Sequence, residues 1–207
     1  MKILLVNGSP NEHGCTYTAL KEVAATLKKN GIDSEIMWLG KGVVAGCIGC
    51  GKCSESGKCF VNDKVNEALE ILPEIDGIVV GSPVYYAGPT AQITAFLDRL
   101  FYAGSGFDGK LGASVVSCRR GGASAAFDRL NKYFMMNCMP VVSSQYWNQV
   151  HGAFGKGEDV KKDEEGLQTM RTLANNMAWL LKCIKAGKDS GIEKPVREKA
   201  IKTSFIR

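Results

Sequence analysis

Three observations predict an α/β fold with one parallel sheet covered by helices on both faces. Short apolar runs recur along the chain: Ile3–Val6, Ser34–Leu39, Ile78–Val80, Ala113–Cys118 and one starting at Pro140–Val142. Between them lie stretches whose apolar residues repeat at helical spacing. Most of the runs do not alternate with polar residues, which is the pattern of strands buried on both sides. Strands that alternate with helices build βαβ units, and these cross over right-handed.

The first run stops at Asn7-Gly8-Ser9-Pro10, which cannot continue a strand. Gly14-Cys15-Thr16 opens a helix with Tyr17, Leu20, Val23, Ala24 and Leu27 on its apolar face, and Gly31 ends it. Ser34–Leu39 is the second strand, and a Gly- and Cys-rich loop follows from Gly40 to Phe60. Asn62 is the expected cap of a helix with Val65, Leu69 and Leu72 on one face. The third strand ends in Gly81-Ser82-Pro83, and the next helix turns Ile93, Phe96, Leu97 and Leu100 inward. Gly104 to Gly109 is a loop. The fourth strand ends in Arg119-Arg120-Gly121-Gly122 and precedes a helix carrying Phe127, Leu130 and Phe134. A fifth strand starts at Pro140. The polar, Gly-rich stretch from Gln145 to Lys162 is predicted as a long loop. Glu165 to Ile184 is predicted as an amphipathic helix through Met170, Leu173, Met177 and Leu180. Residues 1–185 form the expected domain, and 186–207 a basic tail.

The 207 residues, 45% hydrophobic and 23% charged, suit one folded domain and argue against disorder. No apolar run is long enough to span a bilayer. The N-terminus enters a strand without the layout of a signal peptide, so the cytoplasm is the expected location. The net charge is +5, and it sits in the tail. There Lys182, Lys185, Lys188, Lys194, Arg197, Lys199, Lys202 and Arg207 face only Asp189, Glu193 and Glu198. Such a tail suits an anionic partner, a solvated arm or a neighbouring subunit. No aromatic stacking pattern or nucleic-acid motif accompanies it, so nucleic acid is not an expected partner.

In open parallel sheets the ligand lies outside the carboxyl ends of the strands. Three unusual loops fall there: Ser9 to Thr16, Pro83 to Thr90, and Arg119 to Ser124. The first is a strand, a polar loop and a helix N-terminus, the geometry of a phosphate site. Ser9 and Thr16 add hydroxyls, while Gly8 and Gly14 let the backbone come close. It is neither a Walker A sequence nor G-x-G-x-x-G. An ordinary βα turn has a similar composition, so this stretch alone leaves both readings open.

Four of the eight cysteines, Cys47, Cys50, Cys53 and Cys59, fall close together in a Gly-rich loop. Thiolates at this spacing suit one soft metal centre, and C-x2-C-x2-C is the local spacing of ferredoxin cluster loops. A [4Fe–4S] cluster, a tetrahedral zinc site and a metal-free loop of reduced or reversibly oxidised thiols remain open. Cys118, Cys138 and Cys183 sit in apolar patterns and are expected to be buried and inert. Cys15, at a helix N-terminus, either has a depressed pKa or simply offers its backbone N–H to an anion. His13 and His151 are expected in loops.

Gly8-Ser9-Pro10 to Thr16 resembles the FMN phosphate loop of the flavodoxin-like NAD(P)H-dependent FMN reductases. Gly81-Ser82-Pro83-Val84-Tyr85-Tyr86 resembles the loop that faces the isoalloxazine ring in that family. The block from Cys47 to Cys59 is similar to the compact cysteine motif of its iron–sulfur flavoprotein branch. The resemblance covers about residues 1–185. It implies a flavodoxin-like three-layer sandwich, strand order 2-1-3-4-5, with FMN at the switch between strands 1 and 3. It implies that Ser9, Asn11, Gly14, Cys15 and Thr16 hold the phosphate. Asn11 stands where many relatives have Arg, so dipoles rather than a salt bridge would meet the anion. Pro83, Val84, Tyr85 and Tyr86 would serve the ring, with Tyr85 or Tyr86 against its face. Arg119, Gly121 and Gly122 would close over the ring or the nicotinamide phosphate, or form a solvated turn.

The leading expectation is an FMN-dependent oxidoreductase. It would pass electrons from NAD(P)H to a small-molecule or ferredoxin-like acceptor, through a [4Fe–4S] cluster on Cys47, Cys50, Cys53 and Cys59 if one is present. The protein then supplies position and electrostatics, and no side chain is singled out as acid or base. A non-enzymatic electron carrier and a cysteine-based redox or metal sensor are the alternatives. Carriers of the flavodoxin type tend to be acidic, and +5 argues mildly against the first. By the same resemblance a homodimer or homotetramer is expected, with the loop from Gln145 meeting the neighbour.

Overall fold

The computed structural model describes residues 1–153, 155–201, 203 and 205. Five parallel strands form one sheet: β1 (Lys2–Asn7), β2 (Asp33–Trp38), β3 (Gly77–Pro83), β4 (Leu111–Cys118) and β5 (Gln149–His151), in the order β2-β1-β3-β4-β5. The helices are α1 (Cys15–Lys29), α2 (Cys53–Ser56), α3 (Lys64–Ile71), α4 (Ala91–Ala103), α5 (Ala123–Met136), α6 (Gly157–Val160) and α7 (Glu164–Asp189). None among the described residues is long and apolar enough to cross a membrane.

Alternate residues of each strand supply two separate cores. Leu4, Val6, Ile78, Val80 and Val116 pack under α3, α4 and α5. Ile3, Leu5, Val79, Ala113 and Val115 pack under α1 and α7. This makes the three-layer sandwich, and the expected inward residues of α4 (Ile93, Phe96, Leu97, Leu100) are all buried.

The fifth strand differs from expectation. Val141 makes one parallel bridge to Gly112, held by Gly112 N–H to Pro140 O (2.9 Å) and Val142 N–H to Gly112 O (2.8 Å). Residues 143–148 then leave the ladder, with the Ser144 hydroxyl bonded to Tyr146 O (2.6 Å) and Asn148 Oδ1 (2.7 Å). The chain returns where Asn148 O accepts Val116 N–H (2.9 Å), and β5 pairs Gln149–His151 with Val116–Cys118. The stretch expected as a loop therefore holds β5 and α6, and His151 ends a strand.

Smaller corrections have local causes. Asp63, not Asn62, caps α3, because its carboxylate accepts Val65 N–H (3.1 Å), while Asn62 accepts from the Asn66 side chain (3.4 Å). The α7 face drifts from Met177 to Ala178 and Leu181, leaving Leu180 half-buried and Ile184 exposed. Cys183 and Cys138 are exposed, the latter at the positive-φ position after α5, while Cys118 is buried as expected. Past Asp189 the tail turns back through Lys194 to Asp108 (2.7 Å).

Phe96 is fully enclosed beneath the sheet. Phe96→Ala is expected to cost about 3–5 kcal/mol of stability, read as a lower urea midpoint at unchanged slope.

Candidate functional site

A cavity of about 390 Å³ opens at the carboxyl ends of β1, β3 and β4. Its floor is the β1–α1 loop, held in shape by buried polar groups. The Asn7 side chain, fully buried, accepts Ser9 N–H (3.1 Å) and donates to Glu12 O (3.0 Å). Ser9 Oγ accepts Asn11 N–H (3.1 Å), and Trp38 Nε1 donates to Ser9 O (2.8 Å). Thr90, the cap of α4, donates its hydroxyl to Gly8 O (2.8 Å), which ties α4 to this loop. Thr16 Oγ1 lies 2.9 Å from Ser117 Oγ. The first turn of α1 carries no side-chain cap and no acidic residue. Cys15 and Thr16 of that turn line the cavity, and the free N–H groups and dipole of a helix N-terminus favour an anion there.

Of the expected residues, Ser9, Asn11, Cys15, Thr16, Pro83, Val84, Tyr85 and Arg119 line this cavity together. Gly14 is buried beneath it as the start of α1. Tyr86, Gly121 and Gly122 are not among the lining residues. Tyr85 and Gly88 bond both ways (2.8 and 2.9 Å), closing a two-residue turn with Tyr86 at φ 48° and Ala87 at φ 57°. Positive φ at both central positions is a type I′ turn, and it throws the Tyr86 ring into solvent. Gly122 instead starts α5 at φ 87°, where a Cβ would sit 2.9 Å from Ala87 Cα, so the two loops touch there.

Four lining residues were not anticipated: Ser117, Cys118, Gly152 and Gly155. The first pair ends β4, where the carboxyl-end rule already pointed. The glycines come from the stretch after β5, which lies directly on α1. A Cβ on Gly152 would be 2.7 Å from Cys15 Sγ, and one on Gly157 2.6 Å from Thr18 Oγ1. Their spacing was the only available signal, since nothing local says which wall they cover.

Burial pushes the thiols of Cys15 and Cys118 up, not down. Cys15 Sγ donates to Lys156 O (3.4 Å), and Cys118 Sγ lies 3.5 Å from His151 Nδ1. The depressed pKa considered for Cys15 is therefore replaced by a protonated, shielded thiol.

The second feature lies at the other end of α4. Cys47, Cys50, Cys53 and Cys59 all line a small cavity of about 30 Å³, with Ile48, Phe60 and Tyr102 around it and Arg99 at its base. Cys47 and Cys50 are exposed, and Cys53 and Cys59 half-buried. Among the described residues no group of three or more His, Cys, Asp or Glu side chains is positioned to hold a metal ion. The donor set is nevertheless that of a soft centre, four thiols around one space. A Cβ built on Gly46, Gly49, Gly51 or Gly57 would meet no atom within 4 Å, so these glycines are not packed against the core. Arg99, which the sequence did not single out, is 2% exposed.

A parallel sheet of order 2-1-3-4-5, with its cavity where the order reverses beside β1 and β3, defines a flavodoxin-like protein. Solved structures share this fold. RosB with a bound 8-demethyl-8-formylriboflavin-5'-phosphate intermediate aligns with TM-score 0.66 at 15% identity, over 100% of this chain and 94% of that one. A flavodoxin from the domain Archaea aligns with TM-score 0.56 at 18% identity, over 88% and 99%. The family model described as NADPH-dependent FMN reductase matches residues 1–153, and the chain belongs to that family of flavin oxidoreductases. It is 34% identical over 192 residues to an iron–sulfur flavoprotein of Methanocaldococcus jannaschii, covering 89% of this chain and 100% of the relative. It is 31% identical over 203 residues to one of Archaeoglobus fulgidus, covering 92% and 100%.

Raised thiol pKa values leave less thiolate at a given pH. In metal-free protein at pH 8, Cys15 and Cys118 are expected to alkylate more slowly than exposed Cys138 and Cys183. Peptide mass mapping against time checks this.

Proposed function

We propose that this chain is an FMN-dependent oxidoreductase that takes electrons from NAD(P)H and passes them to a small-molecule or ferredoxin-like protein acceptor, with a [4Fe–4S] cluster on Cys47, Cys50, Cys53 and Cys59. The observation that carries the proposal is the cavity over the uncapped N-terminus of α1. FMN fits the residues present: a phosphate dianion matches a helix start that lacks its own cap and acid, and Ser9 and Thr16 are buried hydroxyls beside it. When bound, FMN supplies hydride and single-electron transfer and the cluster single-electron transfer, chemistry that no side chain offers.

The chain's own groups bind and orient. Ser9, Asn11, Cys15 and Thr16 meet the phosphate with hydroxyls and backbone N–H groups, with no guanidinium in the loop. Pro83, Val84 and Tyr85 form the wall for the ring, and the locked Tyr85–Gly88 turn keeps that wall rigid. Arg119 brings positive charge to the mouth, where a phosphorylated nicotinamide would approach. The names of the relatives support the cluster, as do the four thiols around one cavity. A homodimer or homotetramer belongs to the same proposal. It is supported by Tyr146 and Trp147, half exposed on the 143–148 excursion, beside α7 with its exposed Trp179. That excursion is anchored to α7 by Asn176 Nδ2 to Ser143 O (2.8 Å).

An anaerobic visible spectrum with iron analysis is the test. Two flavin bands, a broad brown shoulder and about four iron atoms per chain are expected. Flavin without iron would sink the cluster, and no flavin after adding FMN would sink the proposal. Ser9→Ala is expected to weaken FMN binding by about tenfold or more, since a hydrogen bond to a charged group is worth ~1.5–3 kcal/mol. Fluorescence titration of the apoprotein measures it.

A further inference from the structure

Among the described residues Arg99 is the largest fully buried side chain, and each of its five N–H groups has an acceptor. Nη1 donates to Asp63 Oδ2 (2.7 Å) and Ala45 O (3.3 Å), and Nη2 to Asp63 Oδ1 (2.9 Å) and Val61 O (2.9 Å). Nε donates to Cys59 Sγ at 3.1 Å. Cys59 is also clamped through its backbone: its N–H donates to Asn66 Oδ1 (2.8 Å), and its O accepts from Asn66 Nδ2 (3.0 Å). Thus one of the four thiols is held at its sulfur and at both main-chain groups. Cys47 and Cys50 are exposed on a loop whose glycines have open space around them.

We propose that Arg99 is the positioning residue of the cysteine site: through the Arg99–Asp63 pair it fixes Cys59 against α4, and Cys47, Cys50 and Cys53 close onto that fixed ligand when a metal centre assembles. The inference rests on the cluster assigned under the proposed function. Its physical basis is asymmetric pre-organisation. The Asp63 fork fixes the guanidinium plane and so directs Nε at one sulfur only, as an ammonium on a flexible stem would not. The same N–H and positive charge beside a ligand sulfur favour the more negative, reduced state of a cluster.

Two variants test it in the full chain, Arg99→Lys and Arg99→Met, with flavin content and thermal unfolding confirming a folded domain. In metal-free protein the limiting alkylation rate of Cys59 at high pH, where every thiol is ionised and thiolate fraction no longer differs, is expected to rise by about tenfold once the Arg99 bond to its sulfur is lost, ~1.4 kcal/mol being a factor of ten. The rates at Cys47 and Cys50 stay as in the parent. After reconstitution with iron and sulfide, the variants take up less iron, and what they hold is reduced at a more negative potential. Lys keeps the charge without the fork, so its potential shift is the smaller of the two while its Cys59 is released as in Met. If Arg99→Met does not fold, Arg99→Lys and Asn66→Ala, which leaves Arg99 in place while freeing the Cys59 backbone and the long contact to Asn62, carry the test. A folded variant with Cys59 still protected, or with parental iron uptake and potential, overturns the inference. A parent chain that takes up no iron overturns the cluster itself and is recognised before any variant is made.

Discussion

A buried guanidinium must satisfy five donors, and the course of the chain from Ala45 to Asn66 follows from that requirement. Arg99 projects from α4 into the protein, where it is 2% exposed, and backbone carbonyls at Ala45 and Val61 and the Asp63 carboxylate converge on it. Leaving a charge-bearing donor unmet there would cost several kcal/mol. Burial alone would lower its pKa, yet the bonds to Asp63 and Cys59 hold it above the usual value, so it stays charged. Asp63 serves twice, as the counter-ion and as the cap of α3. The cysteine loop is thereby attached to the core through a helix, although most of it is exposed.

That helix joins the two candidate centres. Its N-terminal cap, Thr90, bonds the β1–α1 loop at Gly8, and its inner residues form the core under the sheet. One and the same rigid element thus braces the loop beneath the cavity over α1 and lines the thiol cavity. A site built from loops needs such supports to hold its geometry. The cavity has a second set of them in the Asn7 side chain, the Trp38 indole and the Thr16–Ser117 hydroxyl pair. The remaining wall is the glycine run after β5, where small residues let the chain lie directly on α1.

Much of the site was legible because the relevant signals are local. Eight of the residues expected at the site line the cavity, since a strand followed by a polar loop and a helix start can face only one edge of a parallel sheet. Tyr86 shows the limit. Adjacent tyrosines look alike in sequence, but a turn with two positive-φ residues keeps Tyr85 at the cavity and sends Tyr86 outward. Arg99 was missed for a related reason: an arginine on the edge of an apolar helix face reads as solvent-exposed until its acceptors, 36 to 54 residues away in the chain, are folded onto it.

The sequence by itself determined the layers, the four principal strands, the amphipathic helices and the loops that carry chemistry, because apolar periodicity and helix-start residues act over a few neighbours. Only the tertiary structure decided the edge strand, the lining from Gly152 and Gly155, and the clamp on Cys59. The edge strand pairs where Asn148 to His151 find free acceptors and donors on β4, not where the more apolar Pro140–Val142 lies. Each of these depends on hydrogen bonds and close contacts between segments distant in the chain, and such contacts leave no period in the sequence.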